Sequence, residues 1–240
     1  MTPSVTVTSA IGPTAGEEIA DAIRDVLARQ RVARLGVPGG RTPVAVFRWL
    51  ADHLPEALAE RLVVTFVDER HDPAPRTGDW TTWNPDSNER LVFEHWISRT
   101  RTPPRVVSFH AEGPLDVARA AVGERFASEV GQIDIALIGA GSDGHIASLF
   151  PGHIGLEDPG PIVGVSDSPK PPPERLSLAL PIIAAAASVL LVVTGADKAD
   201  MIARAYQGDA SLPLGRLQPT GVYRWVIDAP AAQQLSLERA

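Results

Sequence analysis

Residues Ile133–Gly152 read IDIALIGAGSDGHIASLFPG, and this stretch decides the fold. The apolar run Ile133-Asp134-Ile135-Ala136-Leu137-Ile138 has the length and branching of a buried parallel strand. It passes directly into Gly139-Ala140-Gly141-Ser142-Asp143-Gly144, then into His145 and a short helix-compatible segment. In an open α/β sheet that junction is the carboxyl end of a strand, where ligands bind. Three glycines allow a sharp turn and a close approach of backbone N–H groups to a ligand. A histidine placed after them can exchange protons near neutral pH.

Outward from this stretch, apolar runs alternate with helical periodicity. Ala15–Gln30 carries Ile19, Ala22, Ile23, Val26 and Leu27 at helical spacing. Arg34–Val37 is a strand, closed by Gly39-Gly40, with a helix opening at Pro43. Leu62–Val67 reads as a buried strand ending at Asp68-Glu69-Arg70. Residues 71–86 form a polar loop, after which Asp86 and Glu89 have capping-box spacing ahead of Leu91, Val92 and Trp96. Leu115–Val130 is a helix that feeds the strand quoted above. Leu176–Leu180, Val189–Val193 and Val222–Asp228 are further strands, and Lys198–Tyr206 is a helix. Ser168–Pro173 (SPKPPP) can be neither helix nor central strand and reads as a surface loop. The alternation predicts an α/β protein: one domain over residues 1–240, with a predominantly parallel, Rossmann-like sheet flanked by helices.

Composition narrows the function. The chain has 240 residues and a net charge of −7, which argues against nucleic acid as a partner. It has no cysteine, so disulfides, thiolate zinc sites and cysteine nucleophiles are excluded. No run approaches the roughly 20 apolar residues of a membrane span, and the first residues lack the pattern of a secretory signal. The expectation is a cytoplasmic protein with no membrane partner, a monomer or weak homodimer. The histidines show no HExxH-type spacing and no G-x-S-x-G elbow exists, so neither a metal site nor a serine triad is expected.

Four strand ends carry chemistry. Gly39-Gly40-Arg41-Thr42-Pro43 turns into a helix whose free N–H groups and dipole suit a phosphate. Asp68-Glu69-Arg70 ends a buried strand with three charges, which must be paired or solvated; Arg70 can grip an anionic group while Asp68 orients a hydroxyl or the histidine. His145 is the base candidate. Lys198, in the first turn of a helix, opposes the dipole unless an anion binds there. Arg175, just past the Pro-rich loop, is a further anion contact.

Taken as a set, these residues resemble the 6-phosphogluconolactonases, within the wider glucosamine-6-phosphate deaminase and ribose-5-phosphate isomerase superfamily. The likeness runs through Gly39–Pro43, Asp68–Arg70, Asp86-Ser87-Asn88 and Gly139–Gly152. It continues through Pro173-Glu174-Arg175 with LSLALP, Thr194-Gly195 with Asp197-Lys198-Ala199, and Pro219-Thr220-Gly221 ahead of Trp225 and Asp228. The resemblance implies a cofactor-free hydrolase that opens the phosphosugar lactone 6-phospho-D-glucono-1,5-lactone. It implies His145 as general base, with Asp68 holding or tuning the site. Gly39, Gly40, Arg41, Thr42, Arg70, Gly141, Asp143, Gly144, Arg175 and Lys198 would contact substrate or its phosphate. Two departures stand out: Arg41 replaces the serine of the usual GGSTP turn, and residues 71–86 are longer than expected, with Trp80 and Trp83 either a lid or packing. Two rivals remain. A deaminase would carry a carboxylate soon after DGHIA, where this chain has Ser148-Leu149-Phe150-Pro151. A sugar-phosphate sensor would keep the pocket without turnover.

Overall fold

The computed structural model describes residues 2–236. Its strands are β1 (Ser4–Val7), β2 (Ala33–Val37), β3 (Leu62–Phe66), β4 (Asp68–Arg70), β5 (Arg105–Val106), β6 (Ile135–Ile138), β7 (Ile162–Val165), β8 (Arg175–Leu178), β9 (Ser188–Val193) and β10 (Val222–Ile227). The helices are α1 (Ile11–Leu27), α2 (Pro43–His53), α3 (Glu56–Ala59), α4 (Asn88–His95), α5 (Leu115–Glu129), α6 (Leu180–Ala184), α7 (Ala199–Tyr206) and α8 (Pro213–Arg216).

Seven strands form one sheet in the order β1-β10-β9-β6-β2-β3-β5, with every pairing parallel. All four residues of β6 are buried, as a strand covered on both faces requires. From β2 the chain steps outward through β3 to β5. It then returns to the centre at β6 and steps the other way through β9 to β10. The switch of direction lies between β2 and β6, and such a switch opens a crevice at the strands' carboxyl ends. The core around this sheet includes fully buried Trp96, Trp225, Phe47, Phe66 and Phe109; burying each large apolar side chain contributes roughly 1.5–3 kcal/mol.

The sequence reading needs several corrections. Asp68–Arg70 does not merely end a strand: it is itself a strand, in a second sheet of order β4-β8-β7 that is antiparallel. Val67 is the joint, donating its N–H to the Val37 carbonyl of the large sheet (2.9 Å) and accepting from Leu178 N–H (2.8 Å). The expected strand Leu176–Leu180 belongs to this small sheet, and Leu180 already opens α6. No helix follows His145; residues 146–152 make turns and isolated bridges, Ala140 with Ile146 and Ile146 with Leu149. Strands β1, β5 and β7 escaped the reading: β1 (SVTV) alternates polar and apolar residues, β5 has two residues, and Gly164 interrupts the short apolar run of β7. Ser87 caps α4, its hydroxyl accepting from Arg90 N–H (3.1 Å), so the capping register is one residue later than expected.

Candidate active site

The carboxyl ends of β2, β6 and β9 open into a cavity of about 720 Å3 that β4 and the loop before β8 also wall. Among the residues lining it are Gly39, Gly40, Arg41, Thr42, Asp68, Arg70, Gly141, His145, Arg175 and Lys198. Asp143 and Gly144 are not in the lining. Asp143 stands behind the histidine, and Gly144 packs toward Leu212 in a left-handed conformation, φ +82°.

His145 is held on its far side. Asp143 Oδ1 lies 2.5 Å from Nδ1, and the Phe150 ring lies 4.8 Å away by centroid. With Nδ1–H donated to a carboxylate, Nε2 is left as the acceptor nitrogen, the tautomer a general base needs. For Asp143, burial opposes ionisation, but the hydrogen bond and charge of His145, with Lys170 nearby, outweigh it and hold the carboxyl well below its ordinary range. Gly141 makes room for this pair: a Cβ there would stand 2.1 Å from His145 Cε1 and 2.4 Å from Asp143 Oδ1. Ala147, two residues after His145, adopts φ +49°; such a backbone in a non-glycine residue marks a local constraint.

Asp68 occupies the same cavity but has no hydrogen bond to His145 among the described residues. Its Oδ2 accepts from Ser148 Oγ (2.7 Å) and its Oδ1 from Asn88 Nδ2 (3.1 Å). Asn88 presses against Gly39, where a Cβ would fall 1.8 Å from its Oδ1. One amide thus links the β2 turn to β4. Ser148, the residue immediately after DGHIA, faces a carboxylate rather than supplying one.

The cations occupy two regions. Near the β2 and β9 ends, Gly40 takes φ +92° and α2 begins at Pro43, which has no N–H to leave unpaired, while Val44 N–H donates to the Arg41 carbonyl (3.3 Å). Thr42 Oγ1 and Thr194 Oγ1 lie 2.9 Å apart across the end of β6. Lys198 Nζ donates to Asp197 Oδ2 (2.8 Å), and the charge of Arg41 also bears on Asp197. Lys198 sits in a 3-10 turn, Ala196–Lys198, before α7 rather than in the helix itself. Near β4 and β8, Arg70 donates to the Asp86 carbonyl, and its buried Nε has no partner among the described residues. Arg175 is buried and bonded to the carbonyls of Lys170, Pro171 and Pro172.

Glu69 and Glu89 serve the framework. Glu69 accepts from the N–H groups of Arg70, Asn88 and Glu89 and from Ser87 Oγ, at 2.7–2.8 Å, and burial pushes its carboxyl up to about 7. Glu89 accepts from Arg76 and Ser108, each at 2.6 Å. Arg76 lies over the Trp83 ring at 4.3 Å, and Trp83 meets Phe93 edge-on at 5.1 Å. Neither Trp80 nor Trp83 lines the cavity, so the long loop is packed down rather than spread over the site. Sequence reasoning missed Lys170 and Asn88 as lining residues. Asn88 sat in the DSN triplet with no role attached; Lys170 was hidden in a proline-rich loop that carried no periodic signal.

Fold and cavity together define an α/β protein whose sheet ends open into a cation-lined cavity beside a carboxylate-bound histidine. Residues 8–225 match the family described as glucosamine-6-phosphate isomerases/6-phosphogluconolactonase, and the chain belongs to it. Human 6-phosphogluconolactonase is 35% identical over 231 residues, covering 88% of this chain and 83% of that one. The solved 6-phosphogluconolactonase of Thermotoga maritima superposes with a TM-score of 0.82 at 22% identity, over 94% of this chain and 99% of that one. A monomeric glucosamine-6-phosphate deaminase superposes nearly as well, with a TM-score of 0.78 at 20% identity over 98% and 100%. The fold therefore does not separate the two chemistries. No helix among the described residues is long and apolar enough to cross a membrane.

Proposed function

We propose that the protein hydrolyses 6-phospho-D-glucono-1,5-lactone to 6-phosphogluconate, a step of the oxidative pentose phosphate pathway, with His145 as general base. The observation that carries this reading is the His145–Asp143 pair, set at 2.5 Å in a cation-lined cavity. The 35% identity to a lactonase supports it over the deaminase reading, as does the absence of an acid at Ser148–Pro151.

The chemistry follows from charge and geometry. In this reading the substrate phosphate sits at the start of α2, at the positive end of its dipole, beside Thr42, Arg41 and Lys198. That seat leaves the lactone ring toward the His145 end of the cavity. Nε2 of His145 takes a proton from water as its oxygen bonds to the lactone carbonyl carbon, and Asp143 stabilises the imidazolium. When the tetrahedral intermediate collapses, the ring C–O bond breaks and the imidazolium returns the proton to the departing ring oxygen. The product acid then ionises, so the bound species gains one negative charge beside the cavity's cations.

The test generates the lactone in situ from glucose 6-phosphate and follows acid release above the spontaneous rate. Ammonia release from glucosamine 6-phosphate is measured in parallel. Acceleration of the first alone supports the reading; acceleration of the second alone would replace it with the deaminase. Acceleration of neither, with tight sugar-phosphate binding, would indicate a sensor.

A further inference from the structure

The loop Ser168–Pro173 is closed on itself. Ser168 N–H donates to the Pro173 carbonyl (3.1 Å), and Ser168 Oγ donates to the Lys170 carbonyl (2.9 Å) while accepting from Lys170 N–H (3.2 Å). Three consecutive prolines supply no N–H groups, so the loop's carbonyls need donors from elsewhere. Arg175, at the start of β8, supplies them. Its Nε donates to the Pro172 carbonyl (2.7 Å), and its Nη2 donates to those of Pro171 (2.9 Å) and Lys170 (3.0 Å). A guanidinium has five N–H donors in a fixed fork, and this loop engages three.

The loop in turn presents one side chain to the site. Lys170 Nζ stands 3.5 Å from His145 Nδ1 and 3.8 Å from Asp143 Oδ1. Its side chain is 48% exposed, so the ammonium reaches the pair on a flexible stem, and only its backbone is pinned. Resting on the lactonase reading above, we propose that Arg175 is a positioning residue acting through Lys170. Its bonds to the three carbonyls hold the loop in the shape that brings the Lys170 ammonium to the His145–Asp143 pair. Lys170, which lines the cavity and stands beside the His145–Asp143 pair, is then the cation nearest the base, where hydrolysis creates a carboxylate. In this proposal Arg175, which also lines the cavity, acts through Lys170 rather than as one of the phosphate contacts expected from sequence. The charge of Arg70 also bears on Arg175, and a direct two-arginine clamp on substrate is the alternative the test must separate.

The experiment compares Lys170→Met, Arg175→Met and the double variant in lactone hydrolysis. Lys170→Met is expected to lower kcat about 10–100-fold with KM changed less than about threefold, and Lys170→Arg to restore part of the loss. Arg175→Met should lower kcat in the same way, and the double variant should be no worse than the poorer single within about threefold. Losses that multiply, or an Arg175→Met effect confined to KM, would overturn the proposal. Ser168→Ala loosens the same loop from its other side; it should reproduce part of the Arg175→Met loss, and keeps the test open if that variant does not fold. A second readout needs no activity: acylation of the Lys170 amine by an N-hydroxysuccinimide ester, followed by peptide mass spectrometry. The rate should rise at least about threefold in Arg175→Met or Ser168→Ala, by the exposure that loosening brings; equal rates would refute the staple. If wild type fails to accelerate lactone opening, the functional reading falls, and the labelling still decides whether Arg175 holds Lys170.

Discussion

Replacing Gly141 with alanine tests whether the His145–Asp143 pair sets the rate. Gly141 lies outside the left-handed region, so alanine meets no backbone strain there and the effect is purely one of space. Its Cβ would fall 2.1 Å from His145 Cε1 and 2.2 Å from Nδ1, whereas ordinary contact begins at 3.4 Å, so the imidazole must give by about 1.3 Å. Asp143 Oδ1 is also in the way, at 2.4 Å, so both members of the pair must shift from their places. A displacement of about 1 Å at a reacting group costs on the order of 10²-fold. The expectation is a kcat lowered about 100-fold, with KM changed less than about threefold because the phosphate seat at α2 is untouched. The assay is steady-state acid release from lactone made in situ, with thermal unfolding as a check that the variant is folded. A folded Gly141→Ala protein with wild-type kcat would falsify the claim that this pair, as placed, performs the proton transfer.

Further predictions concern the same site and its framework. His145→Asn should lower kcat about 10²–10⁴-fold with KM nearly unchanged; full turnover would remove it as base. Asp143→Asn exchanges a charge-assisted hydrogen bond, worth roughly 1.5–3 kcal/mol, for a neutral one. The 37% exposure of the Asp143 side chain favours the lower half of that range, so about 10–30-fold in kcat is expected, with KM spared because Asp143 does not line the cavity. Arg41→Ala and Lys198→Ala should each raise KM up to about tenfold, and the difference from wild type should shrink in high salt; a loss confined to kcat would contradict the phosphate seat. His110 tests pH dependence. Burial first, then the charge of Arg76, pushes its imidazole down to about 4 from 6.5. The unfolded chain then binds the proton more tightly, so His110 has no effect above pH 6.5 and destabilises the fold increasingly as pH falls toward 4. The urea midpoint of wild type should drop across that window more than that of His110→Gln; parallel curves would refute the assignment.

What was legible in the sequence was carried by local rules. Long apolar runs, such as the one ending at Ile138, announced buried parallel strands, and Pro43 after two glycines announced the start of α2. Glycines at strand ends marked the crevice, since backbone that must approach a ligand or a neighbouring side chain has few alternatives. Where contacts between distant segments competed with local pattern, the reading faltered. The helix expected after His145 gave way to turns, because Ser148 is drawn to Asp68, eighty positions earlier in the chain. The cap of α4 shifted to Ser87 because buried Glu69 occupies the N–H groups of Asn88 and Glu89. Asp68–Arg70 left the large sheet because Val67 bonds to β2 with its N–H and toward β8 with its carbonyl.

The sequence by itself determined the fold class, the strand ends that line the cavity and the histidine among them. Periodicity, glycine placement and residue type are properties of neighbours in the chain, and they survive without knowledge of packing. Only the tertiary structure decided which partner each site residue has: Asp143 rather than Asp68 for His145, proline-loop carbonyls for Arg175, and Lys170 beside the base. Those pairings join segments whose separation in sequence carries no record of their distance in space, so only the folded chain settles them.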